Sequence, residues 1–112
     1  MNSAKQVKGL QLFFLNLTKG NKLKSKVKYP KDTEEIINIT DIIIPRDFIR
    51  SYPSFNKVIE YSMRFVENNM IDTAITVKKS SKSNKYILTD GYIRLLILKQ
   101  NSISDVPVKF EK

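Results

Sequence analysis

Beyond residue 34, hydrophobic and polar residues alternate in short blocks, and each block predicts one element. Two β-branched runs, Ile36–Ile39 and Ile42–Ile44, predict strands, and Pro45 ends the second run. Ser54 is a favoured N-cap residue, and apolar residues at helical spacing follow it. This pattern predicts a helix that ends at Asn68-Asn69.

The second half of the chain predicts a hairpin, a buried helix and a last strand. Residues 74–77 and 86–88 are predicted strands on either side of a polar loop. Thr89-Asp90-Gly91 turns the chain into a helix over 92–99, whose nearly continuous apolar surface places it in the core. Residues 106–108 are predicted to begin a short final strand. The order strand, helix, hairpin, helix, strand predicts an α+β fold.

The N-terminal residues differ in texture from this domain. Residues 4–18 have apolar positions near one face of a predicted helix. Lysine then alternates at period two over residues 21–28, which fits either an extended basic arm or an edge strand. The first acidic residue, Asp32, ends the turn signal at 29–32, and further acids follow it. We therefore divide the chain into a basic N-terminal extension, 1–33, and a domain, 34–112.

The charge of the chain is concentrated in that extension. The 112 residues carry a formal net charge of +9, and the first 31 hold eight lysines and no acid. This asymmetry predicts a nucleic acid or an acidic protein surface as partner, and a solubilising tail is the alternative. Because lysine outnumbers arginine 16 to 4, loose phosphate contact is favoured over base reading. The predicted nucleic-acid-binding residues are Lys19, Lys22, Lys24, Lys26, Lys28 and Lys31.

Composition removes several classes of chemistry. The chain contains no Cys and no His, which excludes disulfides, Cys or His zinc sites, thiol catalysis and His acid–base mechanisms. No apolar run approaches the ~20 residues of a membrane span. The short run at 10–17 lacks a small-residue cleavage site, so we expect no signal peptide and a cytoplasmic protein without membrane partners.

Residues 36–108 resemble the ParB/sulfiredoxin fold. The likeness is to the small ParB-like nuclease-domain proteins of low-GC Gram-positive bacteria and their mobile elements, and it covers about two thirds of the chain. It implies a small mixed sheet with two core helices. The segments that carry it are Ile42-Ile-Ile-Pro-Arg-Asp-Phe48, Pro53-Ser-Phe-Asn-Lys-Val58, Ile71-Asp-Thr-Ala-Ile-Thr-Val77, Leu88-Thr-Asp-Gly-Tyr-Ile-Arg-Leu-Leu96 and Val106-Pro-Val108.

The resemblance implies a phosphate or nucleotide pocket of Asp90, Gly91, Tyr92 and Arg94. At this turn ParB proteins carry Gly-Glu-Arg-Arg, which holds nucleotide phosphates, and sulfiredoxins carry Gly-Cys-His-Arg with a catalytic Cys. A glycine lets the backbone approach a phosphate, and a helix N-terminus offers free N–H groups. This chain has Tyr92 and Ile93 between the glycine and the arginine. Sulfiredoxin chemistry is therefore excluded, and the nucleotide pocket is degenerate.

Each pocket residue also has a structural alternative. Arg94 could neutralise Asp90 or Asp72 where the two helices meet. Asp90 could simply cap the helix that begins at Gly91. Tyr92 could pack as an ordinary aromatic residue.

The leading functional prediction is a non-catalytic nucleic-acid-binding accessory or regulatory protein of a plasmid, phage or other mobile element. It assigns no catalytic residue, metal ligand or cofactor. The first alternative is a metal-dependent nuclease or phosphotransferase that uses Asp90, Arg94 and Asp72. The second is an inhibitor or adaptor whose lysine arm occupies the acidic groove of a nucleic-acid-handling machine.

Overall fold

A computed structural model describes residues 27–112 as one mixed sheet with helices packed on it. This confirms the predicted α+β fold and the order of its main elements. The predicted helix over 4–18 and most of the predicted basic arm lie outside the described residues. The strands and α-helices are β1 Glu35–Asn38, β2 Ile42–Ile43, α1 Arg46–Arg50, α2 Phe55–Asn68, β3 Ile75–Lys79, β4 Tyr86–Asp90, α3 Tyr92–Gln100 and β5 Asp105–Phe110.

β3 is the middle strand of the described sheet. Its strand order is β1-β5-β3-β4-β2. β3 pairs antiparallel with β4, as predicted for a hairpin, and parallel with β5. β1 closes one edge antiparallel to β5, and β2 closes the other parallel to β4. Ile75 and Val77 on β3 are fully buried, so the middle strand is also the centre of the core.

Two helices cover the core as their sequence patterns predict. The Ser54 hydroxyl accepts the Lys57 N–H at 3.5 Å and caps α2, and Asn69 ends α2 in the left-handed conformation. Phe65 of α2 and Leu95 of α3 are each 1% exposed. Ile97 and Leu98 are buried beside them, which confirms that α3 belongs to the core. Among residues 27–112, no helix is both long and apolar enough to cross a membrane.

The segment between β1 and α2 departs from the prediction. β1 ends at Asn38, whose side chain accepts the Thr40 N–H at 2.9 Å and caps a 3₁₀ turn over Ile39–Asp41. The run before Pro45 pairs as a strand only over β2. Pro45 also stands at the start of α1, which the sequence did not predict. A five-residue helix is too short to show a helical repeat of apolar residues.

Residues 27–33 pack on the domain. The Lys28 N–H donates to the Asn69 carbonyl at 2.8 Å. Asp32 accepts the Ala74 N–H at 2.8 Å and pairs with Lys109 Nζ at 2.9 Å. These contacts join the segment to the loop before β3 and to β5. The division of the chain at residue 33 stays a prediction.

We expect the Asp32 contacts to make stability depend on pH. Burial raises the pKa of Asp32, but the Ala74 N–H and Lys109 outweigh it and leave the pKa below its usual 3.8. The ionised form is thus favoured by folding, so its contribution is present above the unfolded pKa and disappears as pH falls through the folded one. Because both side chains are more than one third exposed, the contribution is about 1 kcal/mol or less.

Asp32→Asn keeps an oxygen acceptor for Ala74 and removes the charge. Urea unfolding of both proteins by circular dichroism, from about pH 7 down to about pH 2.5, measures the difference in unfolding free energy. We expect the wild type to be the more stable protein at neutral pH and this advantage to disappear at the acid end. An advantage that stays constant across the range would contradict the assignment.

Candidate phosphate-binding cleft

The turn from β4 into α3 forms one wall of a cleft of about 250 Å³. Asp90, Gly91, Tyr92 and Arg94 all line it, so the structure brings the four predicted pocket residues together. That they bind phosphate stays a prediction. The remaining lining residues are Phe48, Ser51, Pro53, Lys57, Tyr61 and Ile93.

Gly91 cannot carry a side chain without a local rearrangement. Its φ of +99° lies in the left-handed region that favours glycine. A Cβ added there would lie 3.3 Å from Ile75 Cγ1 and 3.4 Å from Arg94 Nη2. The missing side chain therefore lets the backbone pass close to β3 and leaves the Arg94 guanidinium beside the peptide.

The N-terminus of α3 has no side-chain cap. Gly91 occupies the N-cap position, and its carbonyl accepts the Leu95 N–H at 2.9 Å. The alternative in which Asp90 caps this helix is wrong, because Asp90 still belongs to β4, where it pairs with Thr76. A helix start without a cap leaves first-turn N–H groups for water or a ligand and carries partial positive charge.

Arg94 lies across this helix start. Its side chain is 16% exposed, and its Nη2 lies 3.9 Å from Asp90 Oδ2, which is too long for a good hydrogen bond. The Arg94 Nε is buried and has no hydrogen-bond partner among the described residues. The ion pair agrees with the alternative in which Arg94 neutralises Asp90. Because the pair is long and Nε has no partner among the described residues, guanidinium N–H groups remain available to a ligand.

Tyr92 is partly buried in the wall of the cleft. Its ring centroid lies 5.5 Å from that of Phe48, with the rings tilted by 41°. Burial raises the pKa of Tyr92 above its usual 10.0. The phenol therefore stays protonated at neutral pH, where it is a hydrogen-bond donor and a poor nucleophile.

The residues that line the opposite wall of the cleft were not predicted from the sequence. Phe48, Ser51 and Pro53 come from α1 and the connection after it, and Lys57 and Tyr61 come from α2. Two segments that carry the family resemblance, 42–48 and 53–58, contain three of these residues. That was the available signal, but neither periodicity nor spacing shows that these segments fold against Gly91.

The carboxylates that the nuclease alternative needs are held in separate ion pairs. Asp72 accepts from Arg64 Nη1 at 2.8 Å, and the same guanidinium binds Glu60 at 2.6 Å. Asp90 instead pairs with Arg94. Within residues 27–112, no three acidic side chains form a group that could hold a metal ion.

Two of the six predicted arm lysines are described. Lys28 and Lys31 are exposed on the segment that packs beside β5. Lys19, Lys22, Lys24 and Lys26 lie outside the described residues.

No family model matches the chain, and no curated protein matches it. Solved structures do. Sulfiredoxin from Arabidopsis thaliana superposes with a TM-score of 0.56 and 20% identity over 70% of this chain and 85% of its own. The C-terminally truncated chromosome-partitioning protein ParB from Caulobacter crescentus, complexed with CTP-gamma-S, superposes with a TM-score of 0.56 and 16% identity. The match covers 70% of this chain and 43% of the ParB chain. The domain has the ParB/sulfiredoxin fold.

Other solved structures widen the range of proteins with this fold. The same ParB complexed to the centromeric parS site gives a TM-score of 0.53 and 15% identity. A free serine kinase in complex with AMP gives a TM-score of 0.59 and 11% identity, over 80% of this chain and 35% of the kinase chain. This chain thus spans most of the sulfiredoxin but less than half of the ParB and kinase chains. Identities this low establish the shared fold and nothing finer.

Proposed function

We propose that the protein is a non-catalytic nucleic-acid-binding accessory protein of a plasmid, phage or other mobile element. In this proposal a phosphate group of the nucleic acid binds at the start of α3. The geometry around Gly91 carries the proposal. A backbone without a Cβ, an uncapped helix N-terminus and the Arg94 guanidinium all lie at one end of the cleft. These are the features that bind anions in proteins.

Proteins of this fold support the choice of ligand. The ParB from Caulobacter crescentus has been solved with CTP-gamma-S and with the parS site, and the serine kinase with AMP. The shared chemistry of these three ligands is a phosphate group attached to a nucleoside. We extend that ligand class, though not those proteins' activities, to this chain.

A single phosphate suits the cleft better than a triphosphate. Among the described residues, Arg94 and Lys57 are the cations that line it, and Asp90 offsets part of their charge. Ile93 lines the cleft where a second basic residue would strengthen phosphate binding, and an aliphatic side chain removes water from a phosphate without replacing its hydrogen bonds. A diester phosphate carries one negative charge, so it needs less compensation than a nucleoside triphosphate.

The lysine arm supplies the longer-range attraction in this proposal. Eight lysines without an acid in 31 residues attract a polyanion and speed its association. We propose that Lys19, Lys22, Lys24, Lys26, Lys28 and Lys31 contact phosphates of the nucleic acid. An acidic protein surface is the alternative partner, and the fold neighbours solved with DNA or nucleotides favour nucleic acid.

Replacing Arg94 tests the cleft. Arg94→Ala removes the guanidinium that would bind the phosphate, and we expect about tenfold weaker binding of a fluorescent oligonucleotide by anisotropy. Arg94→Lys should recover only part of the affinity, because it keeps the charge but not the planar fork. Arg64→Ala is the control, since Arg64 pairs with Glu60 and Asp72 and does not line the cleft. A fall in melting temperature with unchanged affinity would make Arg94 structural.

Salt dependence tests the arm. Changing Lys19, Lys22, Lys24 and Lys26 to Gln should reduce the slope of log affinity against log salt by roughly 0.7–0.9 for each phosphate that the variant no longer neutralises. The control removes the same charge elsewhere, by changing Lys78, Lys79, Lys82 and Lys112 to Gln. An equal reduction in the control would show that total charge, and not the arm, governs binding.

We expect no hydrolysis of oligonucleotides or nucleoside triphosphates by the purified protein with magnesium or manganese. The phenol of Tyr92 stays protonated, and Ile93 can neither donate nor accept a proton. Product formation is followed by gel electrophoresis and phosphate release. Activity that co-purifies with the protein and disappears in Asp90→Ala would contradict the prediction.

A further inference from the structure

One edge of the cleft exposes large apolar side chains. We call residues 46–57, which include α1 and the first turn of α2, the 46–57 lip. On this lip Ile49 is 58% exposed, Tyr52 48% and Phe55 53%. These are three of the seven large hydrophobic residues that are exposed in the described part of the chain. Three such side chains within seven residues make the lip a candidate interaction surface.

The exposed side chains adjoin the cleft. Ser51 and Pro53, on either side of Tyr52, both line it together with Gly91 and Arg94. On the inner side of the lip, the Phe48 ring packs against Tyr92 in the opposite wall. Tyr52 does not itself line the cleft, so a strand held at Gly91 and Arg94 would meet its ring only after leaving the cleft past Ser51 or Pro53.

The lip is also cationic. It contains Arg46, Arg50 and Lys57 against one acid, Asp47. None of these three cationic side chains forms an ion pair with another described residue, whereas Arg64, further along α2, is paired twice. Their charge therefore remains available to an anionic partner.

The charge of the lip and its position select the class of partner. Tyr, Phe and Arg are common in protein–protein interfaces as well, but the lip has three cations against one acid and lies next to the proposed phosphate-binding cleft, and both features favour an anionic strand. A nucleic-acid duplex presents phosphates and hides the faces of its bases. A single strand offers both unstacked bases for aromatic side chains and phosphates for cations.

We propose that the 46–57 lip binds unpaired bases of a single-stranded nucleic acid, with Tyr52 stacking on a base next to the phosphate held at Gly91 and Arg94. This inference rests on the proposed function, because the cleft supplies the phosphate contact that places the strand. It adds a preference for single strands, which the arm and the cleft alone do not require.

A tryptophan at Tyr52 reports the stacking directly. The chain contains no Trp, so Tyr52→Trp introduces a single indole fluorophore. A base that stacks on it should quench its emission as a single-stranded oligonucleotide is added. Met63→Trp is the matched control, since Met63 is 57% exposed on α2 and does not line the cleft. We expect quenching at position 52 and not at position 63, and weaker quenching with the duplex of the same sequence.

A substitution series measures the contribution of the aromatic ring. We expect Tyr52→Ala to weaken binding of the single strand about tenfold or more, and Tyr52→Phe to retain affinity. Tyr52→Leu keeps an apolar side chain and removes the ring, so it should resemble the Ala variant. Because Tyr52 is half exposed, all three variants should keep the wild-type melting temperature within a few degrees.

The outcomes separate this inference from the proposed function. If the wild-type protein binds no oligonucleotide, the proposed function fails. If it binds, but the Tyr52→Trp fluorescence is not quenched and Tyr52→Ala keeps full affinity, the proposed function stands and the proposed stacking on the 46–57 lip is wrong. Equal affinity of the Leu variant and the wild type would contradict stacking and indicate apolar contact. Self-association in analytical ultracentrifugation that Tyr52→Ala abolishes would identify a second copy of the chain as the occupant and overturn the inference.

Discussion

The close packing of Gly91 on Ile75 is the constraint from which the cleft follows. Ile75 begins β3, the middle strand of the described sheet, and it is fully buried. A Cβ at Gly91 would come within 3.3 Å of its side chain. A glycine in the left-handed conformation therefore lets the chain turn from β4 into α3 at this point without displacing Ile75. The same contact that completes the core next to β3 also brings the backbone of the turn to the surface of the cleft.

The apolar character of α3 holds the site in position. Leu95, Ile97 and Leu98 are buried on different sides of the helix, so α3 cannot rotate without exposing one of them. The position of its first turn is consequently fixed by the core and not by the loop. Tyr92 and Arg94 belong to the same turn and are placed by the same packing. Preorganisation of this kind favours binding because the site gives up little conformational entropy when a ligand arrives.

Local patterns predicted most of the fold, and tertiary packing accounts for what they missed. The β-branched runs, the Ser54 cap and the apolar block after Gly91 each specify an element within a few residues, so the hairpin and both long helices were predicted. The four pocket residues are nearly consecutive, and the turn alone brings them together. The opposite wall of the cleft was not predicted, because α1 is too short to show a helical repeat and because long-range packing brings α1 and α2 next to Gly91. The cap considered for Asp90 is wrong because β4 continues through Asp90 and Gly91 takes the N-cap position.

The weak ion pair of Arg94 supports the proposal that Arg94, and not Arg64, binds the phosphate. Arg64 is bound by two carboxylates, at 2.6 and 2.8 Å, so a new ligand would have to break two good contacts. Arg94 has one carboxylate partner among the described residues, at 3.9 Å, and that partner is 75% exposed and well hydrated. With one exposed partner and a separation of 3.9 Å, this pair contributes little free energy. A phosphate at the α3 N-terminus would offer Arg94 shorter, charge-assisted hydrogen bonds and would meet free N–H groups at the same time. Asp90 could then turn to solvent at small cost, whereas an exchange at Arg64 would leave two carboxylates without their partner.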